Sequence, residues 1–161
     1  MVIVYAVKGF DGANLPLDNP LQVPAHRYSG RVLASGKEAV RTTPKFKRVR
    51  LLGDVVFVSG TAAIKGEDSE FSEDTRVQAL GAIDVVEHLV APSNISPNCS
   101  AFRFGYLRVY VRRPQDLEPV REMFISHFRD TPIHFLQADI CRPELLLELE
   151  GVGRALPFLR P

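Results

Sequence analysis

Phe102-Arg-Phe-Gly-Tyr-Leu-Arg-Val-Tyr-Val111 is the stretch on which the fold reading turns. Phe102, Phe104, Tyr106, Arg108 and Tyr110 fall on one side of a period-two alternation, and Leu107, Val109 and Val111 on the other. Residues 102–112 therefore predict a strand with both faces in use. Downstream, Pro114 opens a helix with the stripe Leu117, Val120, Phe124, Ile125 and Phe128, ended by Asp130-Thr-Pro132. Upstream, Pro92 stops a helix that carries Val77, Leu80, Ile83, Val86 and Val90, with Ser72 or Asp74 as its N-cap. Before it, Asp54 to Ser59 is a compact β-branched run and reads as a buried strand. Two strands, His134 to Cys141 and Leu145 to Val152, are expected to end the chain as a hairpin. The order is β-α-β-α-β-β. It predicts an α+β domain, a mixed sheet with both helices on one face. The other face needs cover, and self-association is the simplest cover for so short a chain.

The texture changes near residue 50. Residues 1–44 read as an N-terminal β/loop extension and residues 45–161 as the main domain. A β-like run from Val2 to Val7 precedes Gly9, Gly12, Pro16, Pro20 and Pro24, whose spacing forbids a long helix. Arg27 to Ser35 suits another short strand. Arg41, Lys45, Lys47, Arg48 and Arg50 form the densest basic cluster. With Phe46 as its one aromatic and no RNA-binding signature, the cluster reads as a solvated strand face, so nucleic acid is not the expected partner. The chain has 161 residues, 45% hydrophobic and 24% charged, with a net charge of +1. That is the balance of one globular domain with no global field for nucleic acid or membrane. The apolar runs are too short for a membrane span, and the N-terminus lacks the basic start of a secretory signal. Cys99 and Cys141 do not stand in metal-ligand spacing with His26, His88, His127 and His134. The expectation is a cytoplasmic protein that uses no metal. No phosphate-binding glycine loop or nucleophile elbow appears.

Chemistry has few places to reside. Glu148 and Glu150 alternate with Leu147 and Leu149, so both carboxylates point away from the leucines. A carboxylate on an interior-facing strand position is a general acid/base candidate, because desolvation raises its pKa. Residue type alone favours a solvated face. Arg108 interrupts an aromatic strand face and suits a bidentate grip on a carboxylate, or a structural ion pair. Arg121 lies beside core-facing Val120 and by type favours exposure. Cys141 is seven residues before Glu148, next to Arg142, and reads as a nucleophile or as an ordinary buried thiol. Ser59-Gly60-Thr61 is either a ligand-approach point, with Gly60 N–H for an anionic oxygen, or a plain strand-end turn.

Leu52-Gly-Asp-Val-Val-Phe-Val-Ser-Gly60, Asp74 and Gln78 on the first helix, Val109-Tyr-Val111 leading to Pro-Gln-Asp-Leu117, and Glu148-Leu-Glu150 together resemble the RidA/YjgF family of enamine/imine deaminases over about residues 45–153. The resemblance implies a chorismate-mutase-like subunit, assembled as a homotrimer with clefts between subunits. It departs where the deaminases carry Pro-x-Arg-Ser-Cys. Here Pro132-Ile-His-Phe-Leu-Gln137 puts His134 or Phe135 at the arginine, and Phe46 at a pocket tyrosine. Val58-Ser-Gly-Thr-Ala62, Tyr106-Leu-Arg-Val-Tyr-Val111, Gln137-Ala-Asp-Ile-Cys-Arg142 and Leu145-Leu-Leu-Glu-Leu-Glu150 resemble the C-terminal half of chorismatases more closely. Those enzymes release pyruvate from chorismate without metal or organic cofactor, and they are about twice as long. The resemblance implies acid/base work at Glu148 and a site cysteine at Cys141. A substrate carboxylate would lie among Arg108, Arg121, Gly60, Thr61, Tyr106, Phe46 and Gln137. Imine deamination, and a ligand-binding trimer without catalysis, are the other expectations.

Overall fold

The computed structural model describes residues 7–33, 44–70 and 73–158. The strand expected from Val2 lies outside them up to Val7, which is irregular, and so do Arg41 and Ser72. Among the described residues the strands are β1 Asn14–Leu17, β2 Val49–Leu52, β3 Val55–Thr61, β4 Ile64–Lys65, β5 Asp68–Ser69, β6 Cys99–Val111, β7 Ile133–Gln137 and β8 Leu147–Pro157. The helices are α1 Gly30–Leu33, α2 Thr75–Leu89, α3 Pro92–Ile95 and α4 Leu117–His127. One sheet runs β1-β2-β3-β8-β6-β7, and β4 pairs with β5 apart from it. The β-α-β-α-β-β series is thus β3-α2-β6-α4-β7-β8, an α+β mixed sheet. The stretch from Arg27 to Leu33, expected as a strand, instead ends a 3-10 turn, Ala25–Arg27, and forms α1. Pro24 caps that turn by accepting the Arg27 N–H at 2.7 Å.

The terminal hairpin does not form. β8 inserts antiparallel between β3 and β6, while β7 lies at the outer edge, parallel to β6. The reason is connectivity and burial. β6 and β7 are joined through α4, a crossover that makes neighbouring strands parallel. Leu147, Leu149, Gly151 and Gly153 of β8 are buried, which suits a central strand, whereas β7 is short and half exposed, which suits an edge.

Both long helices cover one sheet face. Asp74 caps α2, its side chain accepting the Arg76 N–H at 2.8 Å. The buried side of α2 is Ala79, Ala82, Ile83, Val86 and Leu89; Val77 and Leu80, expected inside, are 53% and 61% exposed. The alanines let the helix approach the sheet closely, which rotates the apolar stripe away from the larger residues. On α4, Val120 and Phe124 are buried and Ile125 is exposed. These side chains meet Val56 and Val58 of β3, Leu107, Val109 and Val111 of β6, and Leu147 and Leu149 of β8 in one core.

The period-two reading of β6 breaks at Gly105. Phe104 pairs with Gly153 and Tyr106 with Val152, so two steps on β6 match one on β8, a β-bulge. The extra residue flips the alternation. Phe102 and Phe104 pack into the helix-side core, and Tyr106, Arg108 and Tyr110 face the opposite way. The phenylalanines fill the space left by two glycines: a Cβ at Gly153 would lie 2.4 Å from the Arg103 carbonyl and from the Phe102 ring. At Gly105 the nearest such contact is 3.4 Å, to the Val152 carbonyl. Gly153→Ala is therefore expected to destabilise the fold by about 2–3 kcal/mol through overpacking, and Gly105→Ala by under about 1 kcal/mol, as read by chemical denaturation.

Candidate active site

The sheet face opposite the helices gathers most of the ionisable side chains picked out in the sequence. Cross-strand register sets Arg108 against Glu150 and Tyr110 against Glu148. Glu150 is the hub of a network. The Tyr110 hydroxyl donates to its Oε1 at 2.5 Å, and Arg108 Nε lies 3.1 Å from the same oxygen. Arg108 Nη2 also donates to the Tyr106 hydroxyl at 3.2 Å, with its guanidinium carbon 5.4 Å from the Tyr106 ring centre. Burial, reinforced by Glu150, pushes the Tyr110 hydroxyl up to about 12, so it stays a neutral donor. The charge of Arg108 is thus already matched by a carboxylate. Arg108 and Glu148 share a face, as a joint role requires, but Arg108 binds the neighbour of Glu148.

Glu148 stands differently. On β3, Val58 pairs with Gly151 and Thr61 with Leu149, a second bulge that carries Ser59-Gly60. The Glu148 carboxyl lies directly over Gly60: a Cβ there would sit 2.1 Å from Oε1. The glycine therefore supplies room, and the space above it is filled by the carboxyl. Burial pushes the Glu148 pKa up, the like charge of Glu150 adds to this, and Arg48 opposes it. Thr61 is fully buried on the core side, where its Oγ1 donates to the Ser59 carbonyl at 2.9 Å; it braces the bulge and does not face the site.

Arg48 is the residue the sequence reading passed over. Expected on a solvated face, it is only 4% exposed. Its neighbours in the basic cluster are engaged elsewhere, Lys47 with Asp18 at 2.8 Å and Arg50 with Asn14 at 3.1 Å. Arg48 Nη1 donates to the Gly60 carbonyl at 3.4 Å, and Nη2 donates to the Tyr28 hydroxyl. Phe46 lies against its guanidinium at 4.9 Å, and Tyr28 at 5.9 Å. On the other side, Arg142 stacks 5.1 Å from the same Tyr28 ring and donates to the Glu67 carbonyl at 2.8 Å. Neither Arg48 nor Arg142 has a carboxylate in ion-pair reach among the described residues. The signal for Arg48 was its place, one residue before a strand with buried Val49 and Leu51.

Cys141 belongs to the same group although it lies on the loop after β7, not on a strand. Cys141 is exposed, but partial desolvation still pushes its thiol up, Glu148 adds to the rise, and Arg142 and Arg48 oppose it. The thiol is therefore protonated near neutral pH, a weak nucleophile as it stands. Two expected contributors are not brought in. Arg121 is exposed on α4 in the helix layer, 3.6 Å from Glu118. Gln137 pairs with Val111 at the end of the edge strand, is exposed, and shares the parity of core-packed Ile133 and Phe135.

What assembles is a half-buried carboxyl with a raised pKa, beside a thiol and two arginines without carboxylate partners among the described residues. Such a group is suited to general acid/base work on a substrate whose negative charge the arginines attract. Among the described residues no group of His, Cys, Asp and Glu is arranged to hold a metal ion. No helix there is long and apolar enough to cross a membrane. The raised pKa has a cost in stability. The folded chain holds the Glu148 proton more tightly than the unfolded one. The stability this group contributes is complete below its ordinary value of 4.5 and is lost as pH rises through the folded value. Glu148→Gln is therefore expected to melt higher than the unaltered chain at about pH 8, by roughly 2–4 °C per kcal/mol relieved, with the difference closing near about pH 4. Thermal melts at the two pH values check this.

No protein-family model matches the chain. It is 32% identical over 165 residues to a 3-hydroxybenzoate synthase of Streptomyces hygroscopicus, covering 94% of this chain and 46% of that protein. It is 28% identical, again over 165 residues, to a chorismatase of Streptomyces rapamycinicus, covering 94% and 47%. The chain spans about half the length of these relatives. Its structure superposes on a chorismatase crystal structure with a TM-score of 0.75 at 27% identity, over 88% of this chain and 44% of that one. Yeast Mmf1 has the same fold, with a TM-score of 0.66 at 14% identity over 89% of this chain and all of Mmf1. So does a YjgF/YER057c/UK114-family protein of Mycobacterium tuberculosis, with a TM-score of 0.55 at 18% identity over 68% and 86% of the two chains.

Proposed function

We propose that this chain, a homologue of the chorismatases with the YjgF fold, is a chorismate-converting enzyme that works by acid/base catalysis from Glu148. The observation that carries the reading is the raised, half-buried carboxyl of Glu148 set over Gly60 beside Arg48 and Arg142. Chorismate carries two carboxylates and an enol ether. An enol ether is cleaved by protonation of its terminal methylene carbon, which converts the C=C bond to an electrophilic oxocarbenium carbon. Water captures that carbon and loses a proton, and the hemiketal then breaks its bond to the ring oxygen, which takes up a proton, releasing pyruvate and a ring alcohol. A carboxyl whose pKa is pushed up by burial is suited to the first step, and the carboxylate left behind can then take up a proton from the attacking water. Arg48 and Arg142 supply the charge that favours a dianion. Arg108, matched by Glu150, orders the aromatic wall of Tyr106 and Tyr110 against which an unsaturated ring can lie. Cys141 lines the site as a neutral thiol. This scheme calls on no metal and no organic cofactor.

The relatives named above are about twice as long, so in this reading further copies of the chain close the site. The helix-free sheet face, with Phe57, Tyr106 and Val152 only partly covered, is the surface two neighbours would share in a homotrimer. Sedimentation is expected to give three chains per particle at micromolar concentration; a stable monomer contradicts the shared site.

Incubation with chorismate is expected to release pyruvate, followed by a coupled lactate dehydrogenase assay. Glu148→Gln should lower turnover by about 10²–10⁴ while the fold persists. Gly60→Ala should fold and lose turnover similarly, because its Cβ displaces the flexible end of Glu148. Unchanged pyruvate release in Glu148→Gln contradicts the assignment.

A further inference from the structure

The connection between β7 and β8, residues 138–146, has no regular secondary structure, yet it carries Cys141 and Arg142 and delivers the chain into Glu148. Such a loop has carbonyls that no strand neighbour satisfies. Arg112, the first residue after β6, takes up three of them. Its Nε donates to the Leu145 carbonyl at 2.9 Å, and its Nη2 donates to those of Ile140 at 2.8 Å and Arg142 at 2.9 Å. From the helix layer Gln78, 2% exposed, donates to the Glu144 carbonyl at 2.8 Å and accepts the Leu146 N–H at 2.8 Å. Arg112 also lies 3.3 Å from Asp139, but that carboxylate is 96% exposed, so the ion pair adds little beside the carbonyl bonds. Ile140 and Leu145 are buried with Ala62 and Ile64 and hold the loop down. Apolar contact is not directional, whereas a guanidinium fork fixes where each carbonyl points.

We infer that Arg112 is a positioning residue, with Gln78 as its counterpart from the helix layer: together they hold the Cys141–Arg142 turn beside Glu148. This rests on the reading of Glu148 and Arg142 as working groups. Lysine keeps the charge but not the planar fork, and it cannot reach carbonyls on both arms of the loop. Arg112→Lys therefore frees the turn and leaves β6 intact.

The test uses the full chain and reads Cys141 directly. Alkylation by iodoacetamide is followed by mass spectrometry of the Cys141 peptide, which keeps it distinct from buried Cys99. In Arg112→Lys, Cys141 should react at least about threefold faster near neutral pH, through a larger thiolate fraction. Cys141 is exposed, so the change is one of acidity and not of access: the pH midpoint of alkylation should move down toward the ordinary thiol value of 9.0, as the thiol leaves the carboxylate of Glu148 and the desolvating contacts beside it. Asp139→Ala should react within about twofold of the unaltered chain. With chorismate, Arg112→Lys should lower kcat/KM at least about tenfold, with KM rising because Arg142 is displaced. Alkylation of Cys141 that is unchanged in Arg112→Lys overturns the inference. Faster alkylation with no pyruvate released by any form leaves the positioning role standing and removes the chorismate reading. Should Arg112→Lys fail to fold, hydrogen exchange on the unaltered chain decides. Protection of the Leu145 and Leu146 amides by at least about 10²-fold supports the clamp, and exchange at open-coil rates overturns it.

Discussion

A carboxyl group lies inside the surface of a sheet, over a residue that has no side chain to exclude it. Everything at the candidate site depends on that placement. Gly60 makes the space, and the bulge on β3 aims it at β8. The central position of β8 brings Glu148 there and keeps Glu150 two residues away on the same face. Burial and the neighbouring like charge both disfavour the ionised form of Glu148. The stability this costs is local, because the leucines on the other side of β8 are fully buried in the core. A strand so anchored can tolerate an unfavourable group on its second face, a familiar arrangement where activity and stability compete.

The two carboxylates of β8 are sorted by their partners. Glu150 receives the Tyr110 hydroxyl and sits beside Arg108. Glu148 faces a glycine and a neutral thiol and receives no comparable support. Two like residues two positions apart thus stand in different surroundings, and those of Glu148 push its pKa up. Arg48 and Arg142, which have no carboxylate in ion-pair reach among the described residues, meet on the ring of Tyr28, which lies in the chain between β1 and β2 of the main sheet. The connection between β1 and β2 thus contributes to the site.

The fold was legible where burial is one-sided and periodic. β3, β6, β8 and α4 follow from alternation or helical spacing, and the cap of α2 from Asp74. The errors have local causes. The bulge at Gly105 reversed the facing of Phe102 and Phe104, because one extra residue exchanges the two faces of a strand. Alanines drew α2 close and left Val77 and Leu80 outside. The pairing of β8 with β6 was hidden, since period-two patterns state which face is buried and not which strand lies alongside. At the site, Glu148 could be named from its alternation with leucines. Arg48 could not, because a buried arginine with no carboxylate partner among the described residues is unlike its residue type and depends on Tyr28 and Phe46 from distant or irregular segments. Thr61 and Gln137 were misplaced for lack of register, and Arg121 because a helix residue beside the core still points outward.

The central claim is that Glu148 holds its proton above the ordinary carboxylate range. The most direct measurement is a carbon-detected NMR titration of side-chain-labelled glutamate, with Glu148 assigned by its loss in Glu148→Gln. The account predicts one glutamate carboxyl titrating clearly above 4.5, with its midpoint falling in Glu150→Gln when the like charge is removed and Arg48 is left as the nearer influence. A Glu148 signal that titrates with the exposed glutamates, or that does not respond to Glu150→Gln, contradicts it.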